Sequence, residues 1–410
     1  MPHVLKPSHP SPRAAIIILA IGQTICWAGL LYSFAAFLLA WEENLGWAKT
    51  DLTIALTVAI LISALAAPIA GRIVDAGGGR WLLTFGGLGG ALALAGLSMV
   101  TTRTGFIVIW ALLGVMQGAC LYETCFAFMT RMLGAAARPA IIRLTLIAGF
   151  ASPLAFTGAA LLTDAFGWRG AMQIFALAVA VVGAPLHYVG ARMMETGTHP
   201  EPVKSVEPGA RGVVQTAIRK PAFWLIALAF PVMALNHGML LNHILPLLAE
   251  RGFSRTTAVT AASLIGPMQV AGRLIVMGFE NRVATLTVTL ISFAGVIVAA
   301  LLLLAAGLNT TLVFAFAATQ GAAYGLISIL RPAVISETLG RDGFGIIAGW
   351  LAVPYLAGFA LAPWIGALLW ELGGYDLAIT VAAGLGVVGL ASIAILAATQ
   401  KRTVASSKSP

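Results

Sequence analysis

The chain has 410 residues, of which 60% are hydrophobic and only 10% charged, with a mean hydropathy of +0.95. Such a chain cannot cover a water-facing surface, and apolar windows of about 20 residues recur along almost its whole length, which excludes a soluble helical protein and predicts a polytopic membrane protein. The formal net charge of +9 is accounted for by topology and implies no nucleic-acid partner.

From the N-terminus, Met1–Arg13 is polar, carries several prolines and lacks a cleavage-site pattern, so the first apolar segment is expected to remain in the mature protein. Twelve apolar segments follow, near 14–40, 51–74, 80–101, 104–131, 139–164, 168–193, 222–248, 256–279, 283–306, 310–336, 343–370 and 374–399. Their continuous apolar character predicts helices, because barrel strands would alternate over about ten residues. Cys26, Cys120 and Cys125 all fall inside these segments. They read as small packing residues, with neither a disulfide framework nor a metal site implied.

Placing Met1 in the cytoplasm puts 17 of the 24 Lys and Arg residues in or beside cytoplasmic segments. Both termini are therefore expected to be cytoplasmic, by the excess of basic residues on that side. The longest polar stretch carries Pro200, Pro202 and Pro208. It reads as a cytoplasmic linker over 194–221 between an N-terminal six-helix bundle, 1–193, and a C-terminal bundle with a short tail, 222–410. The halves share short matches: Ala70-Gly71-Arg72 recurs as Ala271-Gly272-Arg273, and Gln117-Gly118-Ala119 as Gln320-Gly321-Ala322. In the same order and in corresponding segments, these matches predict a duplicated unit.

Between the second and third segments lies Gly71-Arg72-Ile73-Val74-Asp75-Ala76-Gly77-Gly78-Gly79-Arg80, a charged, glycine-rich interruption expected to form a tight hydrophilic turn with Asp75 and Arg80 close enough to pair. Its spacing resembles the signature loop of the major facilitator superfamily of secondary transporters, with Gly71, Asp75, Gly78 and Arg80 at the family positions. Ala76 departs from the basic residue often found there. The resemblance implies an all-α membrane fold of twelve transmembrane helices in two pseudo-symmetric six-helix bundles. It also implies that the third helix of each triplet is peripheral while the others line a central cavity.

The distribution of polar residues agrees with that plan. Segments three, nine and twelve hold almost nothing more polar than Ser and Thr. By contrast, segment one carries Gln23, Trp27 and Tyr32; segment four Gln117, Tyr122 and Glu123; segment seven Asn236, His237, Asn242 and His243; segment eight Gln269 and Arg273; segment ten Gln320, Tyr324 and Arg331. Lipid cannot satisfy these groups, so they are expected to face a water-filled cavity or one another.

Glu123 is the one acidic residue well inside a segment, where an ionised carboxylate costs about 3 kcal/mol unless paired or hydrated. It is the candidate for proton coupling or gating, with Arg331 and Arg143 as possible partners; the competing reading is a structural ion pair. Arg273 always carries its charge, and its planar fork suits a carboxylate. Its surroundings, Gly266-Pro267-Met268-Gln269-Val270-Ala271-Gly272-Arg273, resemble the eighth helix of monocarboxylate and oxalate transporters, where an arginine engages the substrate carboxylate. Gln269 stands where monocarboxylate carriers have an aspartate, and segment eleven lacks the lysine of the oxalate carriers. The resemblance therefore implies a substrate with a single negative charge. The competing reading makes Arg273 an anchor at its helix end, as Arg72 would be.

Arg331 precedes Pro332, where a kink is expected, and can serve either as a second anion contact or as a residue reaching the interface. His237 and His243 do not share a helical face and make a poor metal site. Gly149-Phe150-Ala151-Ser152-Pro153 in segment five reads as a hinge or close-packing face.

No phosphate-binding loop or His/Cys cluster suggests an ATP-driven pump, an enzyme or a cofactor. The expectation is a monomeric, multi-pass protein of a bacterial inner membrane that moves a small organic monocarboxylate with a proton by alternating access. Tyr122, Asn236, His243, Gln269, Gln320 and Tyr324 would shape the substrate site around Arg273. A proton-driven exporter of amphipathic compounds and a transporter-like sensor are the alternatives.

Overall fold

The computed structural model describes residues 12–134, 137–197, 215–279, 283–307, 309–340 and 344–406, so the centre of the expected linker, 198–214, lies outside the described residues. All regular structure among the described residues is helical. In chain order the N-terminal helices are α1 (Pro12–Trp27), α2 (Ser33–Leu45), α3 (Lys49–Ile73), α4 (Gly79–Leu97), α5 (Arg103–Cys120), α6 (Tyr122–Leu133), α7 (Ala137–Ala148), α8 (Ala151–Ala178) and α9 (Ala184–Gly197). They are followed by α10 (Pro221–Glu250), α11 (Arg255–Phe279), α12 (Thr285–Ala305), α13 (Thr310–Gly325), α14 (Ile327–Leu339) and α15 (Phe344–Ser406).

Nine runs among the described residues are long and apolar enough to cross a membrane. Three of them, Lys49–Leu97, Pro139–Gly197 and Ile347–Gln400, hold 49, 59 and 54 residues, about twice one crossing. Each is interrupted near its middle at a glycine with positive φ: Gly77 at 93°, Gly167 at 68° and Gly374 at 70°. Residues with a Cβ resist that conformation, so the chain reverses there without a long loop. Divided at these breaks, the nine runs supply twelve crossing segments. The outer surface carries large apolar side chains such as Leu65, Leu92 and Met99, each about three-quarters exposed, as a lipid-facing surface requires.

The Gly71–Arg80 interruption differs from the expected turn in one respect. The reversal is made by a π-helical turn, Val74–Gly78, and Arg80 pairs with Glu195 at 3.0 Å while Asp75 is exposed. The neighbouring Arg131 donates to the Val74 carbonyl and fixes the turn from α6. Arg80 turns to Glu195 because α9 packs beside α4 and brings that carboxylate within reach.

Each half has its own apolar core. Buried residues of α1 to α9 form two clusters, and those of α10 to α15 form two more, with Ala35, Phe156 and Ala360 as the few side chains that cross over. Within each half the same device brings two helices together. A methyl group added at Gly114 on α5 would lie 2.2 Å from the Ala59 carbonyl oxygen on α3; one added at Gly321 on α13 would lie 2.5 Å from the Ile265 carbonyl oxygen on α11. Membrane helices gain little from apolar burial against each other, so close backbone contact supplies the packing energy. Gly114→Ala should therefore lower stability by about 1–3 kcal/mol, read as a fall in the detergent-solubilised unfolding midpoint. A midpoint equal to wild type would show that the helices separate without cost.

The halves are latched together at one end. There, Lys49 packs 3.4 Å from the centre of the Trp370 ring and pairs with Glu42 at 3.1 Å, Thr50 donates to Glu371 at 2.7 Å, and Arg255 pairs with Asp164. Deeper in, Ser152 Oγ accepts from the Gly266 amide at 3.0 Å. At the end formed by residues 74–80, Arg80 pairs with Glu195 within the first half, and Thr285 donates to Glu337 within the second. The bundle is thus latched at the Lys49 end.

Candidate functional site

The site is built where helices lose regularity. α1 passes into α2 through a π-helical turn, Ala28–Tyr32, and the carbonyl of Leu30 in that turn accepts 2.7 Å from Gln117 Nε2 on α5. Ser33 Oγ closes back onto the Gly29 carbonyl at 2.6 Å. A π-turn displaces backbone carbonyls from their usual partners, and these side chains supply replacements. The extra residue in the turn brings both Trp27 and Tyr32 into contact distance: their ring centroids are 6.1 Å apart, and Trp27 lies 4.4 Å from Tyr122.

Tyr122 follows a second irregularity. α5 ends at Cys120, Leu121 is extended at ψ −163°, and α6 begins at Tyr122, with Thr124 Oγ donating 2.6 Å to the Gly118 carbonyl. The Tyr122 ring then stacks on Phe126 at 4.8 Å. In the second half, α13 and α14 are separated at Leu326. The kink expected at Pro332 is not where the interruption lies. Pro332 sits inside Ile327–Leu339, and the carbonyl it leaves without a helical donor belongs to Ser328, at the start of that helix, so the irregularity moves upstream.

Tyr324, just before this break, is held on one face by His237, with ring centroids 3.5 Å apart and planes within 9°. Its hydroxyl lies 3.0 Å from that of Tyr355, and the Arg331 guanidinium lies 4.2 Å from the Tyr355 ring centre. Arg273 is almost buried, 8% exposed, with Nε donating 2.7 Å to the Gly325 carbonyl and Nη1 donating 3.2 Å to the Thr145 carbonyl on α7. It therefore ties α11 to its own half and to the other. Two of its five N–H groups are used in this way, leaving donors for a ligand.

Arg273 is within electrostatic reach of Tyr32, Tyr122, Tyr324 and Tyr355. Glu123, one residue beyond Tyr122, is exposed despite its place in the middle of a crossing segment, and it lies within electrostatic reach of Arg331. Two guanidiniums and one carboxylate give the group a formal charge of +1. Two enclosed donors, Trp27 Nε1 and Arg331 Nη1, have no hydrogen-bond partner. An unpaired enclosed donor costs about 1–3 kcal/mol, so both are poised for water or a ligand.

The structure thus gathers Arg273, Tyr122, Tyr324, Glu123 and Arg331, with Gln269 one turn before Arg273 and packed against Gly325. It does not bring the other expected residues to this group as free contacts. Asn236 is fully buried and donates 2.8 Å to the Ala382 carbonyl; Gln320 is bound to Asn236 at 3.1 Å and lies 3.4 Å from His237. His243 is buried between the Pro363 carbonyl at 2.8 Å and Tyr375 at 3.4 Å, toward the latched end. Arg143 is exposed and shares a cleft of about 400 Å³ with Arg13, Ile16, Ile17 and Ile147, apart from Arg331 and Glu123. Asn236 turns inward because helix packing offers its amide hydrogen bonds, which a membrane-buried amide requires; Gln320 joins it through Nε2, while its Oε1 is left without a partner.

Tyr355 and Phe126 are neighbours of this group, against Tyr324 and Tyr122 respectively, that the sequence did not single out. Neither carries charge, and the only hint of Tyr355 was its polar hydroxyl in an apolar run beside Pro354.

The sequence matches the family model of the Major Facilitator Superfamily over residues 16–314. Among solved structures, the nucleoside transporter NupG, crystallised as a point mutant, is similar with a TM-score of 0.71 at 14% identity, covering 94% of this chain and 100% of that one. At that identity the likeness concerns the fold. A comparison with curated proteins gave no match. A family model spanning most of the chain, on a helical bundle of two cores with irregular helices meeting at its centre, identifies the protein: it belongs to the major facilitator superfamily and is an integral, multi-pass membrane transporter.

Proposed function

We propose that the protein is a secondary active transporter of a small organic monocarboxylate, coupled to a proton. The observation that supports this most directly is the charge of the central group: Arg273 and Arg331 against Glu123 leave one net positive charge, which one carboxylate neutralises. In lipid a charge without a partner is expensive, so the occupied site is the more easily rearranged one.

The bundles run over 1–193 and 222–410, with both termini in the cytoplasm of a bacterium and the latched end on the outside. The cavity then opens to the cytoplasm. Arg273 both binds the acid and holds α7 through the Thr145 carbonyl, so a carboxylate that draws the guanidinium away loosens one contact between the halves. That exchange links occupancy to rocking of one half against the other. Glu123 takes the proton, and Arg331 stabilises its ionised form when the proton leaves. The working unit is one copy of the chain, and no cofactor takes part in the cycle.

The test is uptake into proteoliposomes of purified protein, using labelled monocarboxylates with and without an inward proton gradient. Gradient-stimulated accumulation of an acid is the expected result. Transport of a neutral or cationic amphipath, with none of any acid, would overturn the reading in favour of an exporter.

A further inference from the structure

Two arginines that the transport cycle leaves unused meet on the outside of the first half. Arg13, in the first turn of α1, and Arg143, in the second turn of α7, line a cleft of about 400 Å³ together with Ile16, Ile17 and Ile147. Both guanidiniums are exposed, and neither forms an ion pair among the described residues.

The neighbours of α7 fix which way the cleft faces. Thr145 accepts from Arg273, a methyl group added at Gly149 would lie 2.4 Å from Val270, and Ser152 binds the Gly266 amide, so one face of this segment meets the second half. Leu144 and Ala148 belong to the core of the first half. Arg143 and Ile147 fall on the remaining face, and their stripe continues at helical spacing as Phe150, Leu154 and Leu161, which are 51%, 46% and 65% exposed. Large apolar side chains left open along a crossing helix are turned to lipid. On α1, Ile17 and Ile21 are likewise exposed, one and two turns beyond Arg13. Thr24 Oγ1 donates 3.4 Å to the Ile147 carbonyl, which holds this side of α1 against α7.

The positive charge of the cleft has no local counterweight. Neither helix carries an acidic residue in its first turn, and the sequence just before them adds Lys6 and Arg138 without Asp or Glu. Glu195, on the adjacent α9, is taken by Arg80 at 3.0 Å. Two guanidinium forks suit a phosphate, and the isoleucines beside them offer a surface that a free hydrated anion does not use. A ligand with a charged phosphate and a hydrocarbon tail matches both, and basic clefts between membrane helices attract such headgroups. We propose that this cleft binds an anionic phospholipid, its phosphate between Arg13 and Arg143 and an acyl chain along Ile17 and Ile147. The site stands apart from the monocarboxylate reading, which neither requires nor excludes it.

The test titrates purified full-length protein in neutral detergent with dioleoyl phosphatidylglycerol, dioleoyl phosphatidylcholine or glycerol phosphate, and reads the unfolding midpoint and the number of lipids retained by native mass spectrometry. Phosphatidylglycerol should stabilise the wild type and be retained in preference to phosphatidylcholine. Arg13→Gln/Arg143→Gln should weaken that binding about thirtyfold. Arg192→Gln/Arg219→Gln, which removes the same charge from exposed positions elsewhere, should keep it. Equal retention of the two lipids by the wild type would overturn the proposal, and so would an equal loss in both double variants, which would reduce the effect to net charge. Stabilisation by glycerol phosphate as strong as by phosphatidylglycerol would replace the lipid with a free phosphate and overturn it as well. The wild-type comparison stands even where a variant fails to fold.

Discussion

Replacing Arg273 by Gln is expected to reduce acid uptake by about a hundredfold, the equivalent of about 3 kcal/mol, which is the scale of charge-assisted hydrogen bonding to a carboxylate. The side chain is 8% exposed and already bonded to two carbonyls, so the loss includes a structural part. Arg273→Lys separates the contributions. It keeps the charge but not the planar fork, so the contacts to Gly325 and Thr145 cannot both be reproduced. If charge toward the substrate dominates, Lys restores a substantial part of binding while Gln restores none, and an uncharged amide analogue of the acid binds wild type and Gln alike. If both variants express, fold and transport at the wild-type rate, Arg273 is a packing residue and the anion site lies elsewhere.

Replacing Glu123 by Gln should abolish stimulation by a proton gradient while leaving exchange of labelled for unlabelled acid intact. One pH unit is worth about 1.4 kcal/mol per proton, so a one-to-one symporter accumulates its acid about tenfold across it. In the Gln variant the accumulation ratio should fall to about one. The carboxamide is close in shape to the carboxyl group, so the cavity is preserved and only the exchangeable proton is removed. Accumulation that still follows the gradient would exclude Glu123 from coupling. Loss of exchange together with accumulation would assign Glu123 a structural pairing with Arg331. The two outcomes are separated by the exchange measurement alone, and neither depends on the identity of the acid.

Much of this protein is determined locally. Long apolar runs have no stable home outside a bilayer, and within one they must be helical, so the class follows from composition alone. Gly71–Arg80 reverses the chain because three adjacent glycines permit Gly77 its positive φ, and the repeated Gln-Gly-Ala triplet marks the duplicated halves because both use a small residue where two helices cross. Arg273, Glu123, Tyr122 and Tyr324 could be singled out because a charged or polar side chain in lipid needs a reason.

The tertiary structure decided which polar groups have already found partners. Asn236, Gln320 and His243 read in the sequence like Tyr324: polar residues in apolar helices. Only packing reveals that the first three are committed to the carbonyls of Ala382 and Pro363 and to one another, while Tyr324 stays half-buried beside Tyr355. Arg80 pairs with Glu195, more than a hundred residues away, and not with nearby Asp75, because helix packing sets the distance. The π-turn at Ala28–Tyr32 leaves no clear local signature; it is sustained by Gln117 from a different helix. Hydropathy depends on the residue itself, whereas hydrogen-bond satisfaction depends on what the fold brings beside it, and that is why the sequence determined the membrane class and only the tertiary structure separated the cavity from the scaffold.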